Sequence, residues 1–168
     1  MSPASERRAR GVLFLCVANS ARSQMAEGIA RAAAIPELRV WSAGSRPAPV
    51  RPEAVAVLRE IGIDMSGHRS KPVSEIPAGE VDTVVTLCAE EVCPVWLGNA
   101  RRLHWGLDDP AAVEGPEDLR LEAFRRTRDD LRLRIGALLR EGAPEPGAGS
   151  DRPGGAAHPS RGAASSSV

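Results

Sequence analysis

Short, continuous apolar runs alternate along the chain with longer stretches in which apolar residues recur at helical spacing. The first run is apolar at every position and the third is rich in Val and Thr, which is typical of buried strands. The longer stretches place their apolar residues three and four positions apart, as amphipathic helices do. The predicted strands are 12–16, 38–42, 81–87 and 101–105, and the predicted helices are 21–34, 52–61 and 117–141. Strands that alternate with helices predict a three-layer α/β/α domain with a four-stranded parallel sheet.

The two ends of the chain lack this patterning. Residues 142–168 consist mainly of Gly, Pro, Ala and Ser without an apolar period. Such a segment buries too little apolar surface to offset its ordering entropy, so we expect a flexible tail. Residues 1–10 are polar and rich in arginine, and a flexible N-terminus is expected there. The folded domain is therefore predicted to span residues 11–141.

The charges of the chain are balanced, with 22 Lys and Arg against 22 Asp and Glu. This balance argues against a broad nucleic-acid surface or a polybasic membrane patch. The apolar run after the N-terminus is too short for a signal sequence or a membrane span. We therefore expect a cytoplasmic monomer, and its three cysteines are expected to be catalytic or metal-binding thiols rather than structural disulfides.

The segment from Cys16 to Ser23 joins the first predicted strand to the first predicted helix. A loop in this position exposes successive backbone N–H groups beside a helix N-terminus, which favours a tetrahedral oxyanion. The predicted oxyanion-binding residues are Val17, Ala18, Asn19, Ser20, Ala21, Arg22 and Ser23. Arg22 can bind the anion through two N–H groups, and the same field favours Cys16 as a nucleophilic thiolate. The alternative is that Cys16 is an inert residue at a strand end and Arg22 an exposed helix residue.

A pair of carboxylates follows the last predicted strand, in the sequence Asp108-Asp109-Pro110. In a parallel sheet this loop lies at the same edge as the segment from Cys16 to Ser23, where a carboxyl group can exchange a proton with a bound anion. An ordinary Asp-Asp-Pro turn is the alternative.

The other two cysteines are Cys88, which ends a buried strand, and Cys93, five residues later. Cys88 is placed to approach Cys16, because the carboxyl ends of parallel strands share one edge. Cys93 can reach Cys88 if the turn between them is mobile. Two alternatives stay open: Cys88 as a small buried apolar residue, and a zinc site formed by the pair, although no pair of histidines follows.

The run from Val12 to Gly28 resembles the signature loop of the low-molecular-weight protein tyrosine phosphatases and of the arsenate reductases built on their fold. The resemblance extends over about residues 12–141. Asn19, Met25, Ala26, Glu27 and the segment 42–44 match the reductases. By this resemblance Asp109, directly before Pro110, is the expected general acid, with Asp108 as the second choice.

The resemblance also implies a mechanism that uses all three cysteines. Cys16 is expected to form a covalent adduct with arsenate, and Cys88 then attacks Cys16 to release arsenite. Cys93 finally forms a disulfide with Cys88, which thioredoxin or a similar dithiol reduces. Glutaredoxin or mycothiol are alternative reductants. The four residues between Cys88 and Cys93 are fewer than in many thioredoxin-coupled members, which leaves open how far this segment unwinds.

An alkali cation, potassium, is a further expectation from the resemblance; no organic cofactor is expected. Some reductases of the family bind the ion beside the anion loop, and oxygen ligands suit such cations. The matching residues are Asn19, Glu27, Ser42 and Asp64.

Two other functions compete with arsenate reduction. A phosphotyrosine phosphatase needs the same cysteine, arginine and aspartate, but it usually needs aromatic walls for the substrate ring, and this chain has no Tyr. A non-catalytic oxyanion or redox sensor is the second alternative, with the tail as an interaction arm.

Overall fold

The computed structural model describes residues 8–89, 92–96 and 98–141. The strands are β1 (Gly11–Cys16), β2 (Arg39–Gly44), β3 (Thr83–Cys88) and β4 (Arg101–Leu107), and the α-helices are α1 (Arg22–Ala32), α2 (Pro52–Arg59) and α3 (Glu117–Arg140). Each lies within a few residues of a predicted element. The predicted tail and most of the predicted flexible N-terminus lie outside the described residues.

The four strands form one parallel sheet in the order β2-β1-β3-β4. Cys16 at the end of β1 pairs with Gly44 at the end of β2. Cys88 at the end of β3 pairs with Leu107 at the end of β4. The loops that follow β1, β3 and β4 therefore meet at one edge of the sheet, as the sequence predicts. The predicted class, a phosphatase-like α/β fold on a four-stranded parallel sheet, is confirmed.

The core lies on both faces of the sheet, but the two faces are covered differently. One buried cluster joins Phe14 and Leu87 to apolar residues of all three α-helices, including Met25 and Phe124. The other joins Leu13 and its neighbours to residues from loops and short 3₁₀ turns; its members are Leu13, Leu15, Ala43, Ile76, Val81, Val84 and Trp96. Within the described residues, the three α-helices lie on the side of the sheet that carries Phe14, and the outer layer expected on the other side consists of loops and 3₁₀ turns.

Strand β3 begins two residues after its predicted start, and Asp82, which precedes it, contacts the start of β1. The Asp82 carboxylate accepts hydrogen bonds from the backbone N–H of Arg10 (2.8 Å) and Gly11 (3.1 Å). This contact joins the starts of β1 and β3 at the edge opposite the cysteines. Among the described helices, none is long and apolar enough to cross a membrane.

Candidate active site

The loop after β1 is held in shape by the fully buried Asn19. Asn19 has a positive φ of 48°, a left-handed conformation that Asn tolerates better than most residues. Its amide nitrogen donates to Ser23 Oγ (2.8 Å), and its Oδ1 accepts from Lys71 N (3.0 Å) and Gln24 Nε2 (3.0 Å). The side chain thereby connects the loop to α1 and to the segment around Lys71.

The carbonyl groups of this loop point towards residues 46–51. Those of Val17, Ala18 and Ser20 accept hydrogen bonds from the backbone N–H groups of Arg46 (2.9 Å), Ala48 (2.9 Å) and Arg51 (2.8 Å). In a trans peptide the C=O and the following N–H point in opposite directions. The N–H groups after these three carbonyls therefore point away from residues 46–51, which is the arrangement that an anion-binding loop requires.

Gly44 is the residue that allows the loop to lie so close to β2. A Cβ atom at this position would lie 2.4 Å from the carbonyl oxygen of Val17 and 2.9 Å from Asn19 N. Any larger residue would displace the loop backbone, so the glycine here is required by close approach.

Cys16 is buried beneath the loop as a free thiol, with its Sγ 2.8 Å from Ser23 Oγ. Since Ser23 Oγ already accepts a hydrogen bond from Asn19, its single hydrogen is available for the sulfur. Ser23 is therefore placed to donate a hydrogen bond to the Cys16 sulfur.

Arg22 is buried at the start of α1. Its Nη1 donates to the carbonyl oxygen of Leu107 (3.0 Å) and lies 3.5 Å from that of Leu87, while its Nη2 lies 3.9 Å from Asp109 Oδ2. The guanidinium group thus connects α1 to the ends of β3 and β4. The alternative of an exposed helix residue is excluded by this burial.

Both candidate carboxylates border the same open cavity, which has a volume of about 590 Å³. Asp109 Oδ1 accepts a hydrogen bond from Ala111 N (3.0 Å), which orients Oδ2 towards Arg22. Asp109 is therefore better placed than Asp108 to act beside the arginine. The residues that border the cavity are Val17, Ala18, Arg22, Ala89, Asp108, Asp109 and Ala112.

Cys88 and Cys93 form a disulfide with a Cα–Cα distance of 5.6 Å. Cys88 is 1% exposed and belongs to the same buried cluster as Cys16, whereas Cys93 is half-buried. Ala89, which follows Cys88, borders the cavity of the oxyanion loop. The zinc alternative is not supported, because the two sulfurs are bonded to each other. In the described part of the chain, no group of three or more His, Cys, Asp or Glu residues is arranged to hold a metal.

The residues expected to bind potassium are engaged in other contacts. The buried Glu27 carboxylate accepts a hydrogen bond from Ser42 Oγ (3.0 Å) and lies near Arg31 (2.9 Å), His68 (3.3 Å) and Lys71 (3.9 Å). Arg31 and Lys71 supply the compensating positive charge that a bound cation would otherwise provide.

Two other expected potassium ligands, Asp64 and Asn19, also accept hydrogen bonds from protein groups. Asp64 is exposed, and its two oxygens accept hydrogen bonds from Ser66 N (2.9 Å) and Ser66 Oγ (3.0 Å), which lower the pKa of Asp64. Asn19 Oδ1 has its own two donors. The residues present therefore do not fit an additional cation well.

Sequence reasoning missed the polar network behind the loop. His68 Nδ1 lies 2.9 Å from Gln24 Oε1, and Gln24 Nε2 donates to the backbone carbonyls of Asn19 (3.1 Å) and Arg69 (2.9 Å). Burial lowers the pKa of His68, although the Glu27 carboxylate opposes this effect. The sequence carried no signal for His68 beyond its residue type, because these contacts join positions more than 40 residues apart.

The fold and the site together define a phosphatase-like α/β protein with a buried cysteine thiol beneath the loop that is predicted to bind an oxyanion. The match is specific: the family described as low molecular weight phosphotyrosine protein phosphatase covers residues 11–145. The chain belongs to this family, and the resemblance inferred from its sequence is confirmed.

Relatives within the family indicate a particular branch. An arsenate reductase of Halalkalibacterium halodurans is 43% identical over 133 residues, which cover 78% of this chain and 96% of that protein. A solved structure of an arsenate reductase in the phosphate binding state shares 35% identity at a TM-score of 0.65, covering 77% of this chain and 96% of that one. The thioredoxin-dependent arsenate reductase of Corynebacterium glutamicum shares 30% identity at a TM-score of 0.57, covering 78% and 62% of the two chains.

Proposed function

We propose that this protein reduces arsenate to arsenite for arsenic detoxification. The observation that carries the proposal is a disulfide between Cys88 and Cys93 beside the free thiol of Cys16, which lies under an oxyanion-binding loop. A phosphatase needs only the thiol, the arginine and the acid. A second and third cysteine at the same edge of the sheet supply the two electrons that reduction of arsenate requires.

The first step is attack on the bound oxyanion. Backbone N–H groups of the loop and the Arg22 guanidinium bind arsenate, and Ser23 Oγ donates a hydrogen bond to the attacking Cys16 sulfur. The sulfur forms a bond to arsenic, and one arsenic–oxygen bond breaks. Asp109 donates a proton to the departing oxygen so that it leaves as water. Arsenic is still pentavalent in this adduct.

The second step transfers the electrons. The Cys88 thiolate attacks the sulfur of Cys16, and the electron pair of the sulfur–arsenic bond remains on arsenic. Arsenic becomes trivalent and leaves as arsenite, and Cys16 and Cys88 are joined by a disulfide. The placement of both cysteines in one buried cluster, at the ends of neighbouring strands, supports this exchange.

The third step restores the nucleophile. The Cys93 thiolate attacks Cys88, Cys16 leaves as a thiolate, and the oxidation now resides in the Cys88–Cys93 pair. The described structure has this covalent arrangement. A dithiol such as thioredoxin then supplies two electrons and two protons to return both cysteines to thiols.

A phosphatase activity is the second candidate, and the cavity limits it. Its bordering residues include Val17, Ala18, Ala89 and Ala112, and none of the described residues that border it is aromatic. Such walls do not stack a phosphotyrosine ring, so we expect only slow hydrolysis of activated aryl phosphates. The sensor alternative rests on a tail that lies outside the described residues.

We also propose that the protein acts in the cytoplasm. Free thiols must be regenerated after each turnover, which suits the reducing cytoplasm, and the enzyme is proposed to act as a monomer. No step requires an organic cofactor or the potassium ion, since Arg31 and Lys71 already face Glu27.

The test is arsenate-dependent oxidation of NADPH with thioredoxin and thioredoxin reductase supplied in excess. The unaltered protein should sustain turnover, whereas Cys16→Ser should lose it together with any aryl phosphatase activity. Cys88→Ser and Cys93→Ser should stop cycling but keep the phosphatase activity, since the oxyanion loop is intact.

A single-turnover measurement separates the last two cysteines. Prereduced Cys93→Ser should release one arsenite per chain and accumulate the Cys16–Cys88 disulfide, which non-reducing peptide mapping detects. Prereduced Cys88→Ser should release none. Normal cycling of Cys93→Ser with thioredoxin would refute the three-thiol mechanism.

A further inference from the structure

Two exposed valines lie on either side of Cys93, the less buried cysteine of the disulfide. Val92 is 90% exposed and Val95 is 74% exposed, while Cys93 between them is half-buried. Exposed single apolar residues are common on protein surfaces and by themselves indicate little. Leu133 on α3, for example, is 76% exposed and lies far along the chain from the cysteines. The position of the two valines beside a reactive sulfur is what distinguishes them.

The exposure of the valines does not arise from a loosely held chain, because residues 92–96 are anchored at two points. The disulfide ties Cys93 to the end of β3. Trp96 is buried in the cluster on the second face of the sheet, and the Arg102 guanidinium donates to its carbonyl oxygen. Val95 is therefore presented to solvent between two fixed residues, and Val92 is held next to one of them.

The burial of the two sulfurs decides where a reductant attacks. Cys88 is 1% exposed, so an external thiolate meets Cys93 first. That thiolate forms a mixed disulfide with Cys93, and Cys88 leaves as a thiolate. The second thiol of the reductant then attacks its own partner sulfur, Cys93 leaves as a thiolate, and the reductant departs as a disulfide. Two electrons pass to the protein, and solvent supplies the protons.

We propose that Val92 and Val95 form the docking surface for a protein dithiol reductant of the thioredoxin type. The inference rests on the proposed function, which requires the Cys88–Cys93 disulfide to be reduced after each turnover. A protein that brings its thiolate to the half-buried Cys93 must cover the side chains on both sides of it, and apolar contacts at the centre of an interface dominate binding. A low-molecular-weight thiol reaches the same sulfur without covering either valine, so the surface selects a protein over a small thiol.

The test compares two reductants on the same oxidised protein. Val92→Thr with Val95→Thr keeps the side-chain shape but replaces one methyl group of each residue with a hydroxyl group. Leu133→Gln is the matched control, since it removes an exposed apolar residue elsewhere. The rate of Cys88–Cys93 reduction is measured with a bacterial thioredoxin and with dithiothreitol. We expect kcat/KM for thioredoxin to fall about 10-fold in the double variant, as for interface residues that contribute moderately to the free energy of binding. The dithiothreitol rate and the control should stay unchanged.

Two results would overturn the inference: an unchanged rate with thioredoxin, or an equal fall with dithiothreitol, which would indicate a change in the disulfide itself. This assay contains no arsenate, so it is independent of the proposed reaction. If the unaltered protein failed to reduce arsenate but the double variant still lost thioredoxin reactivity selectively, the proposed function would be wrong and the docking surface would stand.

Discussion

Replacement of Asn19 by alanine tests how the oxyanion loop is stabilised. Asn19→Ala removes three hydrogen bonds, to Ser23 Oγ, Lys71 N and Gln24 Nε2, from a site without solvent access. It also places alanine at a φ of 48°, where a Cβ is unfavourable unless the side chain makes local hydrogen bonds.

The expected loss of stability follows from these contacts. A net contribution of about 1 kcal/mol for each hydrogen bond gives a loss of about 3 kcal/mol in the free energy of unfolding. The left-handed conformation adds about 1 kcal/mol for alanine. Asn19→Gly accepts this φ, so it should lose about 1 kcal/mol less than Asn19→Ala. The catalytic rate should fall in both variants, because the loop N–H groups are no longer held in place.

Urea unfolding followed by far-ultraviolet circular dichroism measures these losses, with the Cys88–Cys93 disulfide kept oxidised throughout. Asn99→Ala is the control, because Asn99 is exposed and should change stability little. A loss below about 1 kcal/mol for Asn19→Ala would refute the reasoning, since it would mean that the three hydrogen bonds contribute almost nothing.

Two further predictions concern the surroundings of the loop. Gly44→Ala should weaken the inhibition of arsenate reduction by inorganic phosphate at least about 10-fold, because the new Cβ would lie 2.4 Å from Val17 O and displace the loop. Gly79→Ala is the control and should have no effect, because the space around Gly79 is open. Equal inhibition constants for the unaltered protein and both variants would contradict the argument. Burial lowers the pKa of His68 from its ordinary 6.5. As the pH falls, the imidazole is therefore protonated in the unfolded chain before it is protonated in the folded protein. The free energy of unfolding should decrease as the pH falls through 6.5 towards the lowered pKa. His68→Gln should flatten this dependence in urea unfolding at pH 7 and 5, whereas His104→Gln should retain it; an unchanged slope in His68→Gln would show that another group is responsible.

The order and type of the main elements could be predicted because each has a clear pattern. β1 is apolar throughout and buried at all six residues, so its sequence is typical of a central parallel strand. The alternation of strands and helices then requires the strand ends, with Cys16 and Cys88, to share an edge. The role expected of Arg22 followed from its place in the loop before α1, whereas the choice of Asp109 depended on the resemblance. The structure places these two side chains beside each other.

Other features could not be predicted, for physical reasons. The charge of Glu27 is balanced in part by Lys71, which approaches it only after the chain folds, and no local pattern marks such a contact. A potassium ion at Glu27 was expected from the resemblance alone, which does not show where Arg31 and Lys71 lie. The backbone path of residues 92–96 could not be predicted either, because it is determined by a disulfide and by the burial of Trp96 rather than by helical or strand propensity.

The burial of α1 restricts the substitutions that this helix can accept during evolution. The first nine residues of this helix, from Arg22 to Ala30, are all buried, so the helix has no solvent-facing side until its last turn. In α3, by contrast, most positions remain at least partly exposed. A random substitution in α1 must therefore satisfy packing or hydrogen bonding in every direction at once, while many in α3 meet only water. Neutral variation should accumulate in α3 and leave α1 nearly unaltered, even where a residue of α1 has no part in chemistry.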